Sequence, residues 1–365
     1  MAKLAAEWAE IPTLSGLTSP DNLGIVALSE HLLYGLPGWW LAPEVNFNRA
    51  EAFERVLSAL EEFRELGGGT IVDTSGITLG RDPIFYSRLA KMTGVKIVAA
   101  TGFEEERLSI PIHFGLYGWN YYVSGPYEPL QKGYYNVVWK RDVPGNFYPQ
   151  YGATKEYFLF LFYNELVRGM IAPGMIRTDI KAGLAKVGAG WDQITGVEEL
   201  SIRGAALAAK RAGVAVLARG INQARRQMEI LLEEGLEADR IVIGHCDDRR
   251  VIDLERDTEI ARKGAYVAYD HIGWEDPSVP HGLPDEQRVQ LVKAMVDGGF
   301  AERVILSCST IGYALDVPQP KHSFAHLLKS FVPRLKKAGV SDKAIDTILR
   351  ENPKRLLARK ESLGG

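Results

Sequence analysis

Several features that would place a chain in a specialised class are scarce in this sequence. Only two cysteines, Cys246 and Cys308, occur in 365 residues, which is too few for a disulfide framework, so a reducing compartment is expected. No run of about 18 consecutive apolar residues is present, and the N-terminal stretch lacks the apolar core of a signal peptide. The sequence therefore predicts a cytoplasmic protein that is not embedded in a membrane.

An excess of charge of one sign is also lacking. The chain has 43 Lys and Arg against 46 Asp and Glu, for a formal net charge of -3. Because no basic surplus is available to neutralise phosphates, a nucleic-acid partner is not expected. The hydrophobic share of 46% is sufficient for a large buried core. We therefore expect the partner to be a small-molecule substrate or ligand.

Short apolar runs alternate with amphipathic helical stretches along the chain, and this rhythm predicts parallel βαβ units. Eight such units without a linker favour one domain over residues 1–365, a TIM (β/α)8 barrel. An open doubly wound sheet is the alternative, but no glycine-rich phosphate turn follows the first strand. The predicted strands are 23–28, 70–74, 95–101, 182–187, 214–218, 241–244, 265–270 and 304–307.

The rhythm is interrupted between the third strand and the next helix. Residues 102–153 form a long insertion rich in Tyr, Trp and Phe, and a connection of this length is usually functional. These rings either form a lid or pocket wall, or simply pack the insertion onto the barrel. Residues 339–365 are predicted to be a C-terminal helix and tail.

In a barrel of this kind, chemistry takes place where the strands end, because the βα loops converge there. Three of the seven histidines, His31, His245 and His271, fall at predicted strand ends. Three imidazoles at one mouth favour a functional site over isolated core residues.

The motifs around these residues resemble a known family. LSEHLL, IVIGHCDD, AYDHIG, ILSCST and the C-terminal ILRENPKRLLA are similar to segments of phosphotriesterases and phosphotriesterase-like lactonases, a branch of the amidohydrolase superfamily. The resemblance runs from about residue 21 to 357. It implies an ancestral metal-assisted hydrolysis of phosphotriesters, lactones or other esters, and a homodimer.

The resemblance also implies a set of metal ligands, of which half are replaced here. The family holds two divalent ions with His-x-His from strand 1, a carboxylated Lys from strand 4, one His each from strands 5 and 6, and an Asp from strand 8. The matching positions that keep a family ligand are His31, Lys186 and His245. The positions that have changed are Ser29, Arg219 and Ser309.

These replacements predict that no cofactor is needed, because three ligands cannot hold two ions and Arg219 adds a permanent cation. A single zinc ion on His31 and His245 is the alternative. Changes confined to ligand positions in a family-like scaffold suggest an engineered variant.

The family's proton relay falls on Ser309, His271 and Asp248, which gives a hypothetical Ser-His-Asp triad with Arg219 as oxyanion stabiliser. The shorter serine would leave its Oγ about 1 Å out of reach. Ser29 is a second candidate nucleophile. Glu104 is either a general base with a raised pKa or a solvated residue of an acidic run.

The leading interpretation is metal-independent ester hydrolysis on a phosphotriesterase-like scaffold. A non-catalytic scaffold that binds small molecules is an alternative. Another is a proton-abstracting or amine-based lyase that uses Glu104 or Lys186. In that case Lys186 would be a free nucleophilic amine, whereas its other interpretation is an ammonium paired with an acid such as Glu104 or Asp248.

Overall fold

The computed structural model describes residues 10–111 and 154–360. Within them, parallel strands alternate with helices and curl into one sheet. The barrel strands are β3 (Ile25–Tyr34), β4 (Gly68–Asp73), β5 (Lys96–Phe103), β8 (Leu184–Gly188), β9 (Val216–Arg219), β10 (Ile241–Gly244), β11 (Tyr266–Tyr269), β12 (Val304–Leu306) and β13 (Ile311–Ala314).

The barrel closes through a split eighth strand. β12 pairs with β11, and β13 pairs with β3, both in parallel. The four residues between them, 307–310, bridge the seventh and first strands: the Ile272 N–H donates to the Ser307 carbonyl at 3.3 Å, and the Ser309 N–H donates to the Ser29 carbonyl at 2.9 Å. The predicted (β/α)8 barrel is confirmed.

The helices pack on the outside of the sheet. Their starts follow local capping chemistry: Asn48 accepts from two backbone N–H groups at the start of α1, and Asp82 does so at α2. The helices are α1 (Arg49–Glu65), α2 (Pro83–Thr93), α3 (Lys155–Val167), α4 (Gly196–Ala212), α5 (Ala224–Glu233), α6 (Leu254–Arg262), α7 (Asp285–Asp297), α8 (Val332–Lys337), α9 (Asp342–Asp346) and α10 (Asn352–Leu357).

Two short antiparallel hairpins were not predicted. One joins β1 (Ile11–Thr13) to β2 (Gly16–Thr18), and the other joins β6 (Ile171–Ala172) to β7 (Ile176–Arg177). The first strand is also longer than predicted, because β3 continues past residue 28 through the polar residues to Tyr34. The site residues on this strand are therefore held by a sheet and not by a loop.

The apolar core has two parts. A large cluster lies between sheet and helices, and a smaller one fills the interior of the barrel. The interior residues include Val26, Leu28, Val72, Val98, Ala100, Leu184, Leu217, Val242, Ala268 and Ile305.

Most of the predicted insertion, residues 112–153, lies outside the described residues, as do residues 361–365. The lid therefore stays a prediction. Within residues 10–111 and 154–360, no helix is long and apolar enough to cross a bilayer.

Candidate functional site

Polar side chains from seven strands meet at the carboxyl end of the barrel. Each comes from the last residues of a strand or the first residues after it, because the carboxyl ends of parallel strands share one edge. They are Ser29 and His31 on β3, Glu104 after β5, Lys186 on β8, Arg219 at the end of β9, His245 after β10, His271 after β11 and Ser309 between β12 and β13.

An ion cluster of Lys186, Arg219 and Glu104, called the cationic cluster below, occupies this end. The two carboxylate oxygens of Glu104 divide between the cations: Oε1 pairs with the Lys186 ammonium, and Oε2 accepts from Arg219 Nη1 at 3.3 Å. Lys186 and Glu104 are 2% and 4% exposed. The alternative in which Lys186 pairs with Glu104 is therefore the one that the structure shows.

The cationic cluster keeps Glu104 ionised. Burial raises the pKa of Glu104, but the Lys186 ammonium and the Arg219 guanidinium more than offset this and lower its pKa to about 2. The expectation of a solvated Glu104 is wrong, because strand β5 turns the side chain inwards. A lowered pKa also does not favour the role of general base.

Two glycines allow this close approach. Gly102 has a φ of 110°, a backbone conformation that residues other than glycine rarely adopt. A Cβ at this position would also overlap the Lys186 carbonyl oxygen. A Cβ at Gly188 would lie 2.8 Å from Glu104 Oε2. Because neither glycine carries a Cβ, strands β5 and β8 can approach closely enough for Glu104 to contact Lys186.

The two remaining histidine ligands are anchored through Nδ1. His31 Nδ1 lies 3.0 Å from the Ser75 hydroxyl, and His245 Nδ1 lies 2.8 Å from Asp270 Oδ1. Burial lowers the pKa of both rings well below the usual range, and the positive charges of Lys186 and Arg219 add to this. Both imidazoles are therefore neutral, and their Nε2 atoms are the nitrogens left for a ligand.

His245 and Ser309 have left-handed backbones, with φ of 59° and 43°. Such conformations are unfavourable for residues other than glycine and tend to occur at functional sites. At His245 the strain is held by Asp270 Oδ1, which accepts from both the backbone N–H and the ring. The second oxygen of Asp270 is buried without a hydrogen-bond partner among the described residues.

The two candidate serine nucleophiles contact each other. Ser29 Oγ lies 3.2 Å from Ser309 Oγ and 3.4 Å from the Thr74 hydroxyl. Among residues 10–111 and 154–360, no hydrogen bond joins Ser309 to His271. The structure therefore places the serines in a chain of hydroxyls and does not bring the first two members of the predicted triad together.

The partner of His271 is Asp247. His271 Nδ1 lies 3.3 Å from Asp247 Oδ1, and Asp247 Oδ2 accepts from the His271 backbone at 3.0 Å and from Arg288 Nε at 2.7 Å. Asp248 instead pairs through both oxygens with Arg250, at 2.6 and 2.9 Å. The carboxylate beside the His271 ring is therefore Asp247 and not the predicted Asp248, because the turn after β10 directs the two adjacent carboxylates to different partners. The approach of Asp247 to His271 Nδ1 does not have hydrogen-bond geometry.

Sequence reasoning missed Glu30, which organises the split strand. Its Oε1 accepts from the Ser307 hydroxyl at 2.6 Å and the Cys308 N–H at 2.8 Å, and its Oε2 accepts from the Thr310 N–H at 2.8 Å. Burial raises the pKa of Glu30 to about 8, although these hydrogen bonds lower it. The available signal was an acidic residue between Ser29 and His31, with apolar runs on either side of these three residues.

The histidines form a stack. The His245 and His271 rings lie 4.1 Å apart, and His281 stacks on His271 at 4.4 Å. Trp274 meets the edge of His281 at 4.7 Å. His281, which belongs to the loop after β11, is thus a third ring at the site.

The residues at the six family ligand positions do not fit a pair of divalent ions. The Lys186 ammonium is paired with Glu104, and a guanidinium cannot act as a ligand because it carries a permanent charge. One group among the described residues, His245, Asp270 and His271, has ligand atoms within 4.8 Å of one another, but His245 and Asp270 already hydrogen-bond to each other. A single zinc ion stays a prediction.

A cavity of about 950 Å³ opens at the same end of the barrel. It lies between the loops that follow β3, β5 and β8, and residues 105–111 and Trp191 are among its lining. Its volume is sufficient for an organic molecule. Its lining includes Glu105, the residue after Glu104, but not the three residues of the cationic cluster.

Comparisons with known proteins agree with this architecture. A family model described as "Phosphotriesterase family" matches residues 9–111 and 131–357. A phosphotriesterase homology protein of Mycobacterium tuberculosis is 27% identical, covering 96% of this chain and 98% of the relative. An aryldialkylphosphatase of Saccharolobus solfataricus is 26% identical, over 86% and 88% of the two chains.

The solved structures include an organophosphorus hydrolase from Deinococcus radiodurans, with a TM-score of 0.79 and 24% identity, covering 98% of this chain and all of that one. These relatives, at 24–27% identity, give no support to the predicted engineered origin.

Proposed function

Since the chain belongs to the phosphotriesterase family, we propose that it hydrolyses ester bonds, lactones included, without the paired metal ions. In this proposal, the cationic cluster replaces the paired ions as the source of positive charge at the site. The observation that carries this proposal is the position of two cations beside His271: Lys186, which is buried, and Arg219, which is 23% exposed. Both stand where the resemblance implies metal ligands, and the Asp247 carboxylate lies 3.3 Å from His271 Nδ1.

The physical reason is the charge that develops during ester hydrolysis. Attack on the carbonyl carbon places negative charge on the carbonyl oxygen, and a cation already held in a buried site stabilises that charge without rearranging solvent. Lys186 is 2% exposed, so its charge is screened far less than a surface charge. A positive cluster at this point can therefore lower the barrier as a metal ion would.

His271 is the proposed general base. Asp247 faces its Nδ1, which leaves the other ring nitrogen to accept a proton from a water molecule as the water oxygen bonds to the carbonyl carbon. The electron pair of the C=O bond moves to oxygen, beside the cationic cluster. When the intermediate collapses, the bond to the leaving oxygen breaks, and the alcohol departs with the proton from His271.

Water is proposed as the nucleophile, since Ser309 hydrogen-bonds to Ser29. Direct attack by Ser309 predicts an acyl-enzyme, which a fluorophosphonate would trap. An amine-based reaction at Lys186 is disfavoured by its ion pair with Glu104, and borohydride trapping with a carbonyl compound would detect it.

A second candidate function is binding without turnover. It is favoured by the position of Ser309. Its hydroxyl contacts Ser29, and among the described residues it forms no hydrogen bond to His271. The cavity and the cluster would then hold a small molecule that the protein does not change.

The test is hydrolysis of activated carboxylic esters, lactones and phosphotriesters in the presence of a strong chelator. We expect turnover that resists the chelator and that falls by about 100-fold or more in His271→Asn, because the general base is lost. His322→Asn is the matched control. The His322 ring packs against Trp274, with the ring centroids 5.2 Å apart, and it has no part in the proposed proton transfer. Turnover that disappears with the chelator and returns with zinc would contradict the proposal, and absence of turnover would leave only binding.

A further inference from the structure

Arg219 is less well paired with carboxylates than the buried arginines Arg81 and Arg256 are. Arg81 forms a two-pronged ion pair with Glu165 at 2.7 and 2.8 Å, and Arg256 contacts Asp257 at 2.7 and 2.9 Å. Arg219 makes one side-chain hydrogen bond among the described residues, the 3.3 Å contact with Glu104. Its planar fork, which could bind both oxygens of an anion, is therefore only partly used.

The unused part of Arg219 is buried. Its Nε is shielded from solvent and has no hydrogen-bond partner, although the side chain as a whole is 23% exposed. Arg81 Nε also lacks a partner, but there both Nη atoms are paired with Glu165. A buried charged donor without an acceptor is costly, and such groups commonly mark a ligand position. The exposed part of the side chain gives a ligand access.

The charge of the cluster is also unbalanced. Two cations face one carboxylate, and Glu104 divides its oxygens between them. Two other carboxylates are near, but neither Asp270 nor Glu105 forms an ion pair with Lys186 or Arg219 among the described residues. Asp270 is engaged with His245 instead. The neighbouring His31 and His245 add no compensating negative charge, so the cluster has the electrostatic character of an anion site.

We propose that the substrate carries a fixed negative charge, a carboxylate or a sulfonate, in addition to its ester bond, and that the free edge of Arg219 binds it. This inference rests on the proposed function and names the substrate class. It divides the work within the cluster: Arg219 binds the anionic group, and Lys186 stabilises the oxyanion. A guanidinium edge matches two oxygens of either group, and the planar carboxylate fits it best.

The direct experiment compares three methyl esters of similar length: monomethyl glutarate, which is anionic, dimethyl glutarate, which is neutral, and methyl 3-sulfopropanoate. We expect kcat/KM to be about 10- to 100-fold higher for the carboxylate than for the neutral diester, the usual effect of a charge-assisted hydrogen bond. The result with methyl 3-sulfopropanoate shows whether any anionic group raises kcat/KM or whether the planar carboxylate is required.

Variants assign the effect to Arg219. In Arg219→Gln, KM for monomethyl glutarate rises until the preference over the diester is lost, whatever the change in activity that the two esters share. Arg219→Lys retains the charge without the fork and gives an intermediate preference. Arg225→Gln removes one positive charge from α5, where Arg225 pairs with Glu259, and keeps the wild-type preference. Melting curves of all variants check that each is folded.

Equal activity on the anionic and neutral esters, or a preference that persists in Arg219→Gln, overturns the inference. If no ester is hydrolysed, calorimetric titration with glutarate still decides it. Glutarate binding that is lost in Arg219→Gln supports the anion site while the proposed hydrolysis fails. No binding by the wild type overturns the anion site as well.

Discussion

At the residue scale, the site depends on how each charged side chain divides its contacts. Glu104 serves two cations, and Asp247 serves both His271 and Arg288. Burial raises the pKa of Asp247, but His271 and Arg288 more than offset this and hold it far below its usual range. A carboxylate that is always ionised can orient an imidazole and stabilise the imidazolium that forms during catalysis.

The position of Asp247 beside His271, where Asp248 was predicted, gives a prediction at the residue scale. Asp247→Asn should lower kcat for ester hydrolysis by about 100-fold or more, because His271 loses the group that faces its Nδ1. It should also destabilise the fold by roughly 1–3 kcal/mol, since Arg288 would lose its 2.7 Å contact with Asp247 and keep the longer one, 3.3 Å, with Asp285.

Asp248→Asn is the matched comparison. Asp248 pairs with Arg250, whose side chain is 38% exposed, so its loss should change kcat far less. Both variants are assayed at a temperature at which their melting curves show them folded. Equal losses, or a larger loss for Asp248→Asn, would refute the assignment of Asp247 to His271.

The residue types at the site could be predicted from the sequence, but not all of their partners. An ammonium at Lys186 paired with an acid was one of the predicted alternatives, but Glu104 and Asp248 both stood as the acid. The choice between Asp247 and Asp248 could not be made, because it depends on the left-handed backbone of His245 at the start of the turn. A single sequence does not reveal such a conformation at a residue other than glycine.

At the element scale, period and turn signals located the strands and helices well. Strand β10, for example, has its predicted bounds, Ile241–Gly244. The return of the eighth strand as β13 was missed, because Ser307 to Thr310 are polar residues typical of a loop. Glu30 is the reason they are ordered: its carboxylate accepts from groups in this segment.

Gly102 gives an element-level prediction about the approach of β5 and β8. Gly102→Ala should destabilise the protein by at least about 1–3 kcal/mol, because its φ of 110° is unfavourable for alanine and its Cβ would overlap the Lys186 carbonyl. Chemical denaturation measures the change. Gly196→Ala, at the start of α4 with no atom within 4 Å of the added Cβ, is the control and should be neutral or stabilising. Identical denaturation midpoints for Gly102→Ala and the wild type would show that the strands have room to separate.

A buried ion pair of α3 gives a prediction about how the free energy of unfolding depends on pH. Glu165 on α3 pairs with Arg81, and both side chains are almost fully buried. Burial raises the pKa of Glu165, but Arg81 outweighs it and the net shift is downwards. A carboxyl whose pKa is lower in the folded state stabilises the fold above its unfolded pKa of about 4.3, and this contribution is lost as the pH falls further.

We therefore expect Glu165→Gln to be destabilised by roughly 3–5 kcal/mol near neutral pH. The difference in unfolding free energy from the wild type should shrink progressively below about pH 4. Urea denaturation of both proteins at several pH values measures it. A difference that stays constant down to the acid transition would mean that the ion pair does not titrate as described.

At the scale of the whole molecule, closing the barrel brings residues from the first to the eighth strand around one mouth. The family relationship accounts for this scaffold, and the cationic cluster lies within it at the carboxyl end of the strands. Homodimer formation and cytoplasmic location stay predictions, and sedimentation of the full chain would test the first. The whole-molecule charge of -3 gives no sign of the two cations that meet at the mouth, Lys186 and Arg219.

The central claim is that the cationic cluster, and not a pair of metal ions, supplies the positive charge at the mouth. Its most direct test is the metal content of the full chain after equilibration with excess zinc or manganese and removal of unbound ions, measured by elemental mass spectrometry. The account predicts that no pair of ions is retained and that chelator leaves ester hydrolysis unchanged. Two ions held per chain, lost together with activity on chelation, would contradict it.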